Sequence, residues 1–174
     1  MTQTTYLTPA ETARFIRRAL KREFPTTKFS VRSSSYSGGG SVRLLWTDGP
    51  TRKAVETVAK PYEGATFDPM IDLKSYVPGE LSYLDDPTRD GEAVHFGADY
   101  VFCERSYSEE LARRIHAKLA CAWSREPGDF PEVRQDGGSG WCLDWDHPSF
   151  WGHNAGPGGC DPGRLFQQEA EEES

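Results

Sequence analysis

The stretch KFSVRSSSYSGGGSVRLLWT, residues 28–47, decides the fold. Phe29 and Val31 alternate with Lys28, Ser30 and Arg32, and further on Val42, Leu44 and Trp46 alternate with Ser41, Arg43 and Leu45. Successive side chains of a strand point to opposite faces, so this period of two predicts two antiparallel strands, each with one buried face. Between them Ser37-Gly38-Gly39-Gly40 tolerates positive φ and predicts a flexible hairpin end. In that register Lys28, Ser30, Arg32, Ser34 and Tyr36 face away from the core, joined by Arg43. The expected surface is cationic and rich in hydroxyls, with an aromatic at its tip.

Upstream, Thr8-Pro9-Ala10-Glu11 has a Thr N-cap, a Pro at the first helical position and an acid three residues after the cap, which predicts a helix start. Ala13, Phe15, Ile16, Ala19, Leu20 and Phe24 then share one side of the helical wheel, while Arg14, Arg17, Arg18, Lys21 and Arg22 share the other. Pro25 ends the helix. Downstream, the turn chemistry of Asp48-Gly49-Pro50 leads into a second helix with Val55, Val58 and Ala59 as its stripe, broken before Pro61. Residues 64–92 are rich in Asp, Pro and Gly without a period and read as an irregular loop region with one short strand. A further strand is expected at Asp99-Tyr100-Val101-Phe102-Cys103, then a helix from Ser108-Glu109-Glu110 to Trp123, carried by Leu111, Ile115, Leu119 and Ala122.

These elements predict an α+β fold: a core of helix, β-hairpin and helix, an additional strand and helix, and an irregular C-terminal tail. The expected division is an α+β domain over residues 1–125 and a Gly/Trp-rich tail with an acidic terminus over residues 126–174. There is no internal repeat.

With 174 residues the chain has room for one ordinary domain and an appendage. Mean hydropathy is low, at −0.67, but five Trp, seven Tyr and nine Phe supply large buried areas. Charge is split along the chain. Residues 1–60 carry eleven Lys or Arg against four acids, a net +7, so the remainder holds −14 to give the total of −7. No stretch approaches the roughly 18 apolar residues of a membrane helix, and residues 1–8 lack a cationic segment followed by an apolar run. The expectation is a cytoplasmic protein without membrane contact, in which Cys103, Cys121, Cys142 and Cys160 are free thiols or metal ligands.

Arg14, Arg17, Arg18, Lys21, Lys28, Arg32, Tyr36 and Arg43 form the candidate binding surface, because spaced cations with hydroxyls and an aromatic suit a phosphate backbone with exposed bases, or an acidic protein partner. The terminal acids Glu169, Glu171, Glu172 and Glu173 are an intramolecular alternative that would mask it. A second constellation, Cys142, His147, His153 and Cys160, has the ligand types of tetrahedral zinc, although its spacing fits no standard finger. Asp144, Asp146 and His147 beside it raise a metal-dependent enzyme as a further alternative. Neither a phosphate-cradling loop nor a nucleophile elbow is present, since Gly38 to Gly40 lack the Lys and following helix of the former. The expectation is a protein that is not an enzyme and has no cofactor, with structural zinc as the alternative.

At Ile16-Arg17, residues 28–39 (KFSVRSSSYSGG), Trp46-Thr47-Asp48-Gly49-Pro50-Thr51 and Glu63-Gly64-Ala65-Thr66-Phe67-Asp68, the chain resembles the large polyvalent protein-associated domain, type 29. The resemblance covers residues 8–76 best and leaves the Trp/His/Cys-containing tail unaccounted for. It implies an accessory protein of a phage or conjugative element, acting in a bacterial cytoplasm, and it transfers no catalytic residue. The resulting expectation is a non-catalytic binding module directed at a host or element-encoded protein, such as a host defence component. The alternative is direct binding of nucleic acid.

Overall fold

Thr8 starts the first helix as its sequence demands: its Oγ1 accepts the Glu11 amide at 3.2 Å, while its own amide donates to Glu11 Oε2 at 2.8 Å. Those bonds hold the Glu11 carboxyl below its usual range. The computed structural model describes residues 4–68, 70, 72–123, 131–135, 140–143 and 162–172. The elements are β1 (Thr5–Tyr6), α1 (Pro9–Glu23), β2 (Ser30–Tyr36), β3 (Gly39–Thr47), α2 (Arg52–Ala59), a 3-10 turn (Lys60–Tyr62), β4 (Ala65–Asp68), β5 (Leu73–Tyr76), β6 (Gly79–Glu80), β7 (Ala93–His95), β8 (Tyr100–Ser106), α3 (Glu109–Trp123), β9 (Val133–Gln135), β10 (Trp141–Leu143) and α4 (Pro162–Glu172). The fold is α+β, with four helices and small mixed sheets among the described residues.

The chain divides into two compact units, residues 1–46 with 52–104 and residues 47–51 with 105–174. In the first, β2, β3 and β8 form a sheet in that order. Strands β2 and β3 are antiparallel, with Val31 opposite Leu44 and Tyr36 opposite Gly39. Ala13, Ile16, Ala19 and Leu20 of α1 bury against Val31, Val42, Leu44 and Trp46 of the sheet and Val55 and Ala59 of α2. Each large apolar side chain in this core contributes roughly 1.5–3 kcal/mol. A second sheet places β7 between β1, parallel to it, and β6, antiparallel to it.

The hairpin end differs from the flexible glycine loop that the sequence suggests. Only Ser37 and Gly38 form the turn, Gly38 with φ +93°, and Gly39 and Gly40 already belong to β3. A Cβ on Gly40 would lie 2.3 Å from Pro9 Cγ and 2.7 Å from the Gly97 carbonyl oxygen. Close packing, not flexibility, requires glycine there.

Among the described residues of 64–92 there are three strands where the sequence suggests one. Strands β4 and β5 pair antiparallel as a ribbon, and Phe67 and Leu73 on it stay exposed. With Ala65 buried but Phe67 exposed two residues on, the ribbon carries no alternation to read.

In the second unit Asp48 and Gly49 both take positive φ, at 55° and 62°. Asp48 Oδ1 accepts the Ser108 amide at 2.8 Å, and Ser108 Oγ accepts the Leu111 amide at 3.2 Å as the cap of α3. The tail also contains regular structure: β9 and β10 pair antiparallel, and Phe166 and Ala170 of α4 join Leu111, Ala112 and Ile115 of α3 and Leu143 in a second core. Glu169 of the acidic terminus pairs with Lys118 of α3.

Candidate functional site

The register of β2 and β3 sets out the sheet's outward face. Val31, Val42, Leu44 and Trp46 are buried, so their neighbours Ser30, Arg32, Ser34, Tyr36, Ser41 and Arg43 point the other way. Arg32 stands directly opposite Arg43. On β8, Val101 and Cys103 are buried, and desolvation pushes the Cys103 thiol up to about 11. The Arg43 Nε to Glu104 Oε1 ion pair, at 3.1 Å, puts Glu104 on the outward face, and the period of two puts Phe102 and Tyr100 beside it. Tyr36 is 49% exposed and Phe102 47%. The result is an open sheet face carrying two guanidinium groups, several hydroxyls and aromatic rings.

The helix cations occupy a different surface, because α1 packs on the sheet's buried side. Several of them tie the unit together. Arg17 donates to the Val31 carbonyl at 2.6 Å, Arg18 to the Asp85 carbonyl at 3.0 Å, and Arg14 lies 3.8 Å from Glu11. Lys21 and Lys28 are exposed. The structure therefore brings Arg32, Tyr36 and Arg43 together and separates them from Arg14, Arg18 and Lys21 by the core layer, while Arg17 reaches the backbone of β2 at Val31.

Behind the Asp85 carbonyl, its carboxylate is buried and accepts from the Tyr62 hydroxyl and from the Ser82 amide and hydroxyl, at 3.0 and 2.7 Å for the latter two. Burial and this carboxylate hold Tyr62 protonated. The network is satisfied internally and acts as a structural lock.

A concavity lies at the hairpin end, with a volume of about 610 Å³. Tyr6 and Tyr76 flank His95, with ring centroids 5.4 and 4.9 Å from the imidazole. Gly38, Gly39 and Asp99 also line it. Asp99 is 3% exposed; its Oδ2 accepts the Gly40 amide at 3.0 Å and pairs with Lys74 Nζ at 2.8 Å. Lys74 also donates to the Gly38 carbonyl at 3.1 Å and sits 4.9 Å from the centre of the Tyr76 ring. The hydrogen bond to Asp99 holds the Lys74 ammonium above its usual range.

The model of the family described as large polyvalent protein associated domain 29 matches residues 7–108. The chain belongs to that family. The matched span contains the sheet face and almost the whole concavity, and membership ties this polyvalent-protein-associated chain to phages and mobile genetic elements. No curated protein and no solved structure matches.

The family span does not reach the proposed zinc ligands. Cys142 is half-buried on β10 with a free thiol, while His147, His153 and Cys160, with Asp144 and Asp146, lie outside the described residues. Among the described residues no three His, Cys, Asp or Glu side chains group as metal ligands, and no helix is long and apolar enough to cross a membrane.

Sequence reading placed Arg32, Tyr36 and Arg43 on this face and did not place Phe102 and Tyr100 beside them. The alternation of Tyr100, Phe102 and Glu104 with Val101 and Cys103 is the signal that would have added them. Nothing local marks Tyr6, Tyr76, His95 and Asp99 as neighbours.

Proposed function

We propose that this polyvalent-protein-associated domain is a non-catalytic binding module of a mobile genetic element, and that it holds single-stranded nucleic acid on the outward face of β2, β3 and β8. The observation that carries this reading is the direct pairing of Arg32 with Arg43 on an open face beside Tyr36 and Phe102. Like charges directly opposite on a sheet repel; Glu104 offsets Arg43 at 3.1 Å, and an outside phosphate would do the same for Arg32. Exposed rings next to cations also provide the stacking platform and electrostatic groove that single strands use. The hydroxyls of Ser30, Ser34 and Ser41 add phosphate donors on the same face.

A second reading, an acidic host protein such as a defence component met in the bacterial cytoplasm, is favoured by the chain's own net charge of −7, which opposes a long polyanion. Anisotropy titrations of labelled single-stranded DNA and RNA at about 50 mM salt separate the two, because phosphate contacts are strong there. The nucleic-acid reading expects binding that weakens steeply with salt and is abolished by Arg32→Glu with Arg43→Glu. Absence of binding by both polymers would sink it. The protein reading expects capture of a partner from host lysate that the same double variant fails to retain.

A further inference from the structure

We infer that the concavity at the hairpin end is a nucleobase pocket. Tyr6 is 78% and Tyr76 63% exposed, an unusual degree for two rings that flank a half-buried imidazole at the edge of a hollow. A planar heteroaromatic ring laid against them removes apolar ring surface from water, and stacking tolerates any base because each has a π-face. The volume, about 610 Å³, falls within the range of small-molecule sites.

The polar groups narrow the choice further. A purely apolar occupant would give the His95 nitrogens no polar edge to meet, whereas Asp99 and Lys74 already pair with each other at 2.8 Å. A base offers ring nitrogens, carbonyls and amino groups along one edge, which match the imidazole and the carboxylate that line the hollow. Asp99 is preset for this role. It is fixed by Lys74 and the Gly40 amide, and it fills the space over Gly39, where a Cβ would lie 1.7 Å from Oδ2.

Position supports the same reading. Gly39 lines the pocket and pairs in register with Tyr36, the last aromatic of the outward face, so the pocket opens where that face ends. A strand running along Arg32 and Arg43 towards the turn can place one unstacked base in it. Delivery of the base by a strand rests on the nucleic-acid reading above; binding of the base itself does not.

The test follows the His95 ring protons by NMR in the full chain, with nucleoside monophosphates in one arm and short single strands, with and without one abasic position, in the other. Movement of the His95 resonances by either ligand, lost in Tyr6→Ser with Tyr76→Ser, is the expected result. Strand affinity should also fall roughly tenfold for each ring removed. Movement with monophosphates alone would support the pocket while removing the strand; movement only with strands that carry the base would identify the strand as its source. His95 resonances that stay still with every ligand, or that move equally in the double Tyr variant, would overturn the pocket. If strands still bound and Arg32→Glu with Arg43→Glu abolished that binding, the sheet face would survive that outcome.

Discussion

The outward sheet face and the pocket at the hairpin end meet at Gly39, yet they are built in opposite ways. The face comes from residues two apart along three strands, and its side chains point out because their neighbours are buried. The pocket comes from Tyr6, Gly38, Tyr76, His95 and Asp99, which four connections of the chain bring together. A surface built by alternation tolerates exchange of one side chain, because the backbone position does not depend on it. A pocket built by convergence depends on close backbone approach at a few points. The face should therefore show up in binding and the pocket in stability.

The largest effect expected from this contrast is at Gly40. A methyl there meets Pro9 Cγ at 2.3 Å and the Gly97 carbonyl oxygen at 2.7 Å, neither at the end of a flexible side chain. Gly40→Ala should lower unfolding free energy by about 3 kcal/mol, read as the urea midpoint at constant slope. An unchanged midpoint would mean that α1, the hairpin and the segment before β8 do not approach as described.

Next in size is Asp99→Ala, which leaves the Gly40 amide without its acceptor and Lys74 without its carboxylate, at a cost of about 2 kcal/mol. The raised Lys74 pKa fixes the sign of the pH dependence. Its contribution is fully present below the ordinary value of 10.5 and is lost as pH rises through the raised one. The gap between native chain and variant should thus narrow above pH 10.5. A gap independent of pH would show that packing, not the ion pair, holds the pocket floor.

Legibility followed the same division. Helix α1 was readable from its capping box and stripe, the hairpin from its period of two, and the basic half of the face from the register of that hairpin. Strand β8 was visible, but its exposed Phe102 became part of a site only when Arg43 met Glu104. The pocket was not readable at all. Its wall depends on the two-residue parallel pairing of β1 with β7, which sets Tyr6 against His95 and is too short to leave a pattern. The glycines misled for a related reason: Gly39 and Gly40 resemble loop residues, whereas their neighbours in space, not in sequence, forbid a side chain. In α4 the apolar pair Phe166 and Ala170 was hidden among glutamates.

A smaller effect is expected at Thr8, which lies beside the pocket without lining it. Thr8→Ala should cost about 1 kcal/mol at neutral pH through loss of the helix cap. Glu11 is held below the ordinary carboxyl value of 4.5 by the Thr8 bonds, so this contribution is present above 4.5 and declines as pH falls below it. Thermal midpoints of the two proteins should converge on acidification. A constant separation would assign the cap's worth to the hydroxyl alone.

The smallest stability change, and the one that bears most on function, is expected at Arg32→Ser. Arg32 faces Arg43 on an exposed surface, so removing it deletes a repulsion and no buried contact; stability should stay within about 0.5 kcal/mol of the native chain or rise slightly. Arg43 pairs with Glu104 at 3.1 Å in the native chain. Binding of a single strand should nevertheless weaken, and its dependence on salt should become shallower by about one phosphate contact. A loss of stability would mean that Arg32 is a structural cation like Arg17, and its place on the face would no longer need an outside anion to explain it. Unchanged stability together with reduced salt dependence is the pattern of a residue kept for what it touches outside the molecule.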